Sequence, residues 1–196
     1  MAWYGHRHIT KYDGSTQDSW GTFFCGHCDT QVTGPAVASH QGDHGGVVWL
    51  LCTNCDRGLV SNDGVLTPGR ATGPTIAGLP PAVAAAYHQA RRSMSVNAFT
   101  GVELICRKIL MHVAVEKGAE EGDTFASYIT YLANQGYVTP PMNRWVNVIR
   151  EHGNRATHEL DEPDETRAES TLFFTAELLR LIYEMEQFAD RYAPQA

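Results

Sequence analysis

The chain has 196 residues, a formal net charge of -7, 43% hydrophobic and 19% charged residues. This balance excludes a wholly disordered, collagen-like or coiled-coil chain, and it fits one medium domain or a small one beside a medium one. The acidic sign excludes sequence-blind DNA coating, which needs many phosphate-neutralising cations, but leaves a small local basic site open.

The start, Met1-Ala-Trp-Tyr-Gly-His-Arg-His8, lacks the apolar core of a secretory signal. No apolar run approaches the roughly 20 residues that span a bilayer. A cytoplasmic protein with no membrane partner is expected. Four of the five cysteines form two pairs, Cys25-Gly-His-Cys28 and Cys52-Thr-Asn-Cys55. Two residues between cysteines let one tight turn aim both thiolates at one ion. Two such turns complete a tetrahedron at roughly 2.3 Å per bond, so a structural Zn²⁺ on Cys25, Cys28, Cys52 and Cys55 is expected. A redox or disulfide pair, and iron in place of zinc, are the alternatives. Strands Trp20–Phe24 and Val47–Leu51 run into the two pairs, and Gly58 is expected to supply a knuckle turn.

Residues 1–60 therefore read as a zinc ribbon. His27, His40 and His44 are candidates to replace a thiolate, but read as surface residues because four thiolates suffice. Trp3, Tyr4, Trp20 and Trp49 are candidates for base stacking, read here as the core that so small a unit lacks. The only cations in or near the ribbon are Arg7, Lys11, Arg57 and Arg70, so bulk DNA binding is not expected.

Residues 61–80 hold glycines at 64, 69, 73 and 78 and prolines at 68, 74 and 80, and read as a linker. From Pro81 the pattern is helical. Val83, Ala86, Tyr87, Ala90 and Met94 stripe a first helix. A second, about 96–117, places Phe99, Val102, Cys106, Ile109, Leu110 and Val113 on one face. The lone Cys106 is thus a small core residue. Asp123 is expected to cap a third helix bearing Phe125, Ile129 and Leu132, which Gly136 ends. Pro140-Pro141 opens a fourth, with Trp145, Val148 and Ile149 inward, which Gly153 weakens or ends. Thr166-Arg-Ala-Glu169 is a capping box for a fifth and longest helix, from Thr166 to Tyr192. Its wide apolar band suits a helical core on one edge and a second protomer on the other.

Arg150-Glu-His-Gly-Asn-Arg-Ala-Thr-His158 packs two Arg, two His and an Asn into one short segment. On a continuous helix Asn154 and His158 share a face. These types suit metal-free RNA cleavage: His moves protons near neutral pH, and Arg holds the phosphate. On residue chemistry alone a structural reading takes precedence, with Arg and Asn tying the acidic loop 161–165 to the helix end.

Leu79-Pro80-Pro81, Tyr87-His-Gln-Ala-Arg91, Ala98-Phe-Thr-Gly-Val-Glu-Leu-Ile-Cys-Arg-Lys-Ile-Leu110 and the Ile149–His158 run, in this order, resemble a prokaryotic and phage family of unknown function within the HEPN superfamily. The resemblance covers about residues 79–192. It implies a mostly α chain: a small β zinc ribbon, then an HEPN-like bundle of about five helices over 81–196. It also implies a homodimer, with metal-independent ribonuclease activity and a role in phage–host conflict. By position, Arg150 and His158 would form the catalytic pair, with Asn154 as polar helper. The usual motif has four to six residues between Arg and His, whereas seven separate Arg150 from His158 here. Other HEPN proteins are non-catalytic, so a binding or dimerisation module acting on a host or defence protein is the alternative to an RNA-cleaving enzyme.

Overall fold

A computed structural model of the chain describes residues 19–42, 45–158 and 163–192, with the side chains of 151–158 outside the description. The chain divides into two compact units, Met1–Ala71 and Thr72–Ala196.

The first unit is a five-stranded antiparallel meander in the order β1 to β5. Its strands are β1 (Trp20–Phe24), β2 (Gln31–Gly42), β3 (Gly45–Leu51), β4 (Gly58–Asn62) and β5 (Val65–Thr67). A bulge between Ala36 and Ala38 shifts the register of β2 on β3, which bends and twists the long strand. Between β4 and β5 the Asp63-Gly64 turn has positive φ at both residues, 47° and 88°. That is the two-residue turn whose twist matches a hairpin. Asp63 also accepts the Gly46 N–H at 2.8 Å, tying the turn to β3.

The expected fold class is corrected by this sheet. In place of a small ribbon ahead of a mostly α chain, the described residues form a five-stranded half-barrel sheet and five helices. Strand pairing runs on to Thr67, into the stretch read as linker. The signal was masked because β2 carries Gly34 and Pro35, which normally break a strand. Both are needed or tolerated here. A Cβ on Gly34 would overlap the Leu51 carbonyl oxygen. Pro35 lies opposite Trp20 at the start of the pairing, with the neighbouring Ala36 N–H donating to the Ser19 carbonyl at 2.8 Å.

Among the described residues the sheet has a small core: Phe23, Val32 and Leu59 join Cys25 and Cys52 as its buried apolar residues. Trp20 and Trp49, read as the missing core, are 58% and 40% exposed instead. Trp3, Tyr4 and His44 lie outside the described residues.

The second unit is helical: α1 (Pro81–Met94), α2 (Phe99–Glu116), α3 (Phe125–Asn134), α4 (Asn143–His158) and α5 (Glu165–Leu179). A π-helical stretch (Arg180–Glu184) carries α5 onward into α6 (Met185–Tyr192), so that the last three segments form one long helix. The apolar spacing of α2 leaves Val102, Cys106, Leu110 and Val113 fully buried, and α2 packs against α1, α3, α4 and α5. Residues 72–80 are laid against α1. Arg91 donates to the carbonyls of Thr72 and Gly73 at 2.9 and 3.0 Å, and the Tyr87 hydroxyl donates to Pro74 at 3.0 Å. No helix among the described residues is long and apolar enough to cross a membrane.

Several local expectations shift. Thr124, not Asp123, caps α3, its hydroxyl accepting the Ser127 N–H at 3.2 Å. Asp164 rather than the Thr166 box caps α5, accepting the Arg167 N–H at 2.8 Å. Helix α4 continues unbroken through Gly153 to His158; a mid-helix glycine costs only about 1 kcal/mol. Val146 and Ile149 are its inward residues, while Val148 is exposed.

One buried ion pair joins α2 to α5. Arg167 grips Glu103 with two parallel hydrogen bonds, at 2.8 and 2.9 Å, and Glu103 is 4% exposed. Removing the guanidinium leaves a buried carboxylate without its main partner, a strongly destabilising change. Arg167→Met is expected to lower stability of the helical unit by about 3 kcal/mol, seen as an earlier urea midpoint in far-UV circular dichroism. The double substitution Glu103→Leu/Arg167→Leu is expected to recover most of that loss.

Candidate functional site

The four paired cysteines come together at one end of the sheet. Cys25 follows β1 and Cys28 precedes β2; Cys52 follows β3 and Cys55 precedes β4. Each pair is folded into the same knuckle. In the first, Cys25 N–H donates to Thr30 at 3.0 Å and Asp29 N–H returns to Cys25 at 2.8 Å. In the second, Cys52 N–H donates to Arg57 at 3.0 Å and Asp56 N–H returns to Cys52 at 3.0 Å.

Both knuckles close through an aspartate in the left-handed region, Asp29 at φ 54° and Asp56 at φ 55°. Asp tolerates that region better than most residues. The expected turn residue, Gly58, is instead the first residue of β4, where an added Cβ would meet nothing closer than 3.9 Å. The repeated Cys-x-x-Cys-Asp was the sequence signal for this. A different glycine is the constrained one. At Gly26 an added Cβ would overlap the carbonyl oxygens of Pro68 and Gly69, which pass directly over the first knuckle.

The four sulfurs all lie within 4.8 Å of one another. Cys25 and Cys55 approach to 3.7 Å, Cys28 and Cys52 to 3.8 Å. A disulfide would need roughly 2.05 Å, so the thiols are free. The spacing instead matches the edge of a thiolate tetrahedron, about 3.8 Å for bonds of roughly 2.3 Å. The cluster can hold one metal ion, with no coordination position left over.

Hydrogen-bond donors reach two of the sulfurs. Backbone N–H of His27 points at Cys25 Sγ (3.4 Å), and Asn54 Nδ2 at Cys28 Sγ (3.5 Å). Burial pushes the Cys25 thiol up to about 12 and raises Cys55 as well. Burial also opposes the Cys28 thiolate, yet hydrogen bonds from Asn54 and Thr30 outweigh it and bring that thiol down to about 6. A bound cation would offset this burial penalty. His27 is no ligand, since its Nε2 pairs with the Gly58 carbonyl at 3.0 Å. His40 sits exposed in β2. Arg70 braces the first knuckle from outside, 3.2 Å from Asp29 and 4.2 Å above the Phe24 ring.

In the helical unit, Arg150 is half-buried on α4. Its Nη2 donates to Thr130 Oγ1 at 2.7 Å, and its Nη1 lies 3.4 Å from Asn147 Oδ1. Its Nε is buried with no partner among the described residues. The side chains of Asn154 and His158 lie outside the described residues. Because α4 is unbroken, the backbone places Arg150, Asn154 and His158 at four-residue steps along one side, spanning about 12 Å of helix axis. Cys106 is a core residue as read, fully buried, with its thiol pushed up to about 12 by burial.

Replacing any one of the four clustered cysteines by Ser is expected to abolish stoichiometric metal in elemental analysis and to unfold the sheet unit, reported by Trp20 and Trp49 fluorescence. Gly26→Ala is expected to do the same through its clash with Pro68 and Gly69. Gly58→Ala is expected to retain full metal content.

No curated protein and no solved structure matches the chain. A family model described as a domain of unknown function (DUF4145) matches residues 88–194, more than half of the chain and most of the helical unit, and the protein belongs to that family.

Proposed function

We propose that this protein is an RNA-directed factor of phage–host conflict, a homodimer of HEPN type whose thiolate cluster carries a structural Zn²⁺. The observation that carries the RNA reading is the unbroken course of α4, along which Arg150, Asn154 and His158 recur at four-residue steps. Four thiolates suit zinc, which would lend folding energy to a sheet with so small a core and leave no position for substrate. Pairing of two copies is supported by the apolar edge of α6, where Met185, Phe188 and Tyr192 are exposed.

In the catalytic form of this reading, His158 takes the proton of a ribose 2′-hydroxyl. The 2′-oxygen attacks phosphorus, the bond from phosphorus to the 5′-oxygen breaks, and that oxygen takes a proton from water while His158 returns its own to solvent. A 2′,3′-cyclic phosphate and a 5′-hydroxyl result. Arg150 would hold the phosphate, with Asn154 assisting. The 12 Å span then favours a site built from both copies. A second reading, a non-catalytic interaction module, is favoured by Arg150 already being held by Thr130.

The test uses metal-loaded protein with single-stranded RNA and tRNA in magnesium-free buffer without strong chelator, since chelation would disrupt the sheet. Cleavage leaving 5′-hydroxyl ends, reduced roughly 10²–10⁴-fold in His158→Ala, is the expected result. RNA retained but uncleaved selects the second reading. RNA neither bound nor cleaved overturns the RNA role. Elemental analysis is expected to give one zinc per chain, and a visible iron–thiolate absorption would replace zinc with iron.

A further inference from the structure

Helix α2 carries a groove on its outward side that takes no part in the cysteine cluster or the α4 stripe. Its volume is about 500 Å³, within the size range of small-molecule sites. Residues at successive helical steps on α2 form one wall, and the loop at Glu121-Gly122 together with Tyr128 forms the other. Leu104, Met111 and Tyr128 make much of the lining apolar.

The polar groups in it have one dominant sign. Arg107 and Lys108 supply fixed positive charge and His112 a further donor, against a single carboxylate, Glu121. On a chain of net charge -7 this is a local reversal. Arg107 is the best placed of the three. Its guanidinium lies 4.8 Å from the centre of the Phe125 ring, which holds it against α3. Its Nη1 is buried with no hydrogen-bond partner among the described residues, and such a donor is costly to leave unmade. Burial also draws the guanidinium below its ordinary value. His112 is drawn the other way, to Glu116 at 3.9 Å.

We propose that this groove binds a small organic anion, a phosphate or carboxylate on an apolar or aromatic body. The charged end faces Arg107 and Lys108, and the body lies along Leu104, Met111 and Tyr128. The site is independent of the RNA reading, because it uses a different face and different residues.

Calorimetry and methyl NMR on the full metal-loaded chain provide the test, with phenyl phosphate, benzoate, inorganic phosphate and benzyl alcohol as probes. At least one of the two aromatic anions is expected to bind and shift the Leu104 and Met111 methyls. Phenyl phosphate alone would assign an organic phosphate, and benzoate alone a carboxylate. Arg107→Met is expected to weaken binding at least about tenfold. Lys108→Gln, an exposed change that leaves packing untouched, is expected to weaken it severalfold, and Arg144→Gln on α4 to have no effect. The proposal fails if neither aromatic anion binds below about 10 mM. It fails equally if affinity is unchanged in both α2 variants, or if benzyl alcohol or inorganic phosphate binds as well as the aromatic anions.

Discussion

Everything in the first unit depends on bringing four sulfurs to within a tetrahedron's edge of one another. Among the described residues, three apolar side chains besides the cysteines are buried, Phe23, Val32 and Leu59, a small core with which to offset the sheet's ordering entropy. The two knuckles convert that weakness into a defined geometry. Each turns the chain through an aspartate, aims two thiols at one point, and starts the next strand. An ion held there would be a folding element of the sheet, since four thiolates leave no coordination position for chemistry.

The helical unit solves the same problem by ordinary means. Helix α2 is surrounded by four others and buries the inward face of its stripe, so apolar area orders this unit. Of its polar exceptions, Glu103 is buried and paired by Arg167, whereas Arg107 keeps one buried nitrogen without a described partner. Arg150 stands between these cases, with one nitrogen bonded to Thr130 and another buried without a described partner.

The cysteine spacing read directly into the cluster, because a Cys-x-x-Cys pair has few other uses. The helices were legible for a similar reason: a stripe such as Val102, Cys106, Ile109 and Val113 has one natural period. The sheet was not. Gly34, Pro35 and Gly58 sit where strands normally stop, and only long-range contacts make them acceptable: the close approach at Leu51, the bond to Ser19 and the pairing on β3. Caps slipped by one or two residues because Thr124 and Asp123, or Asp164 and Thr166, are chemically near-equal candidates. Trp20 and Trp49 were misplaced because composition sets how much apolar surface exists, not which face of a strand carries it.

The π-helical stretch Arg180–Glu184 acts as a phase shifter in the long final helix. Its wider turn rotates everything downstream relative to the face set by α5. Leu172, Leu179 and Ile182 are buried, while Met185, Phe188 and Tyr192, beyond the stretch, are exposed. One continuous apolar band in the sequence becomes two surfaces with separate duties. Substitutions that tune what α6 offers to a neighbour are thereby uncoupled from those that hold the helical core together.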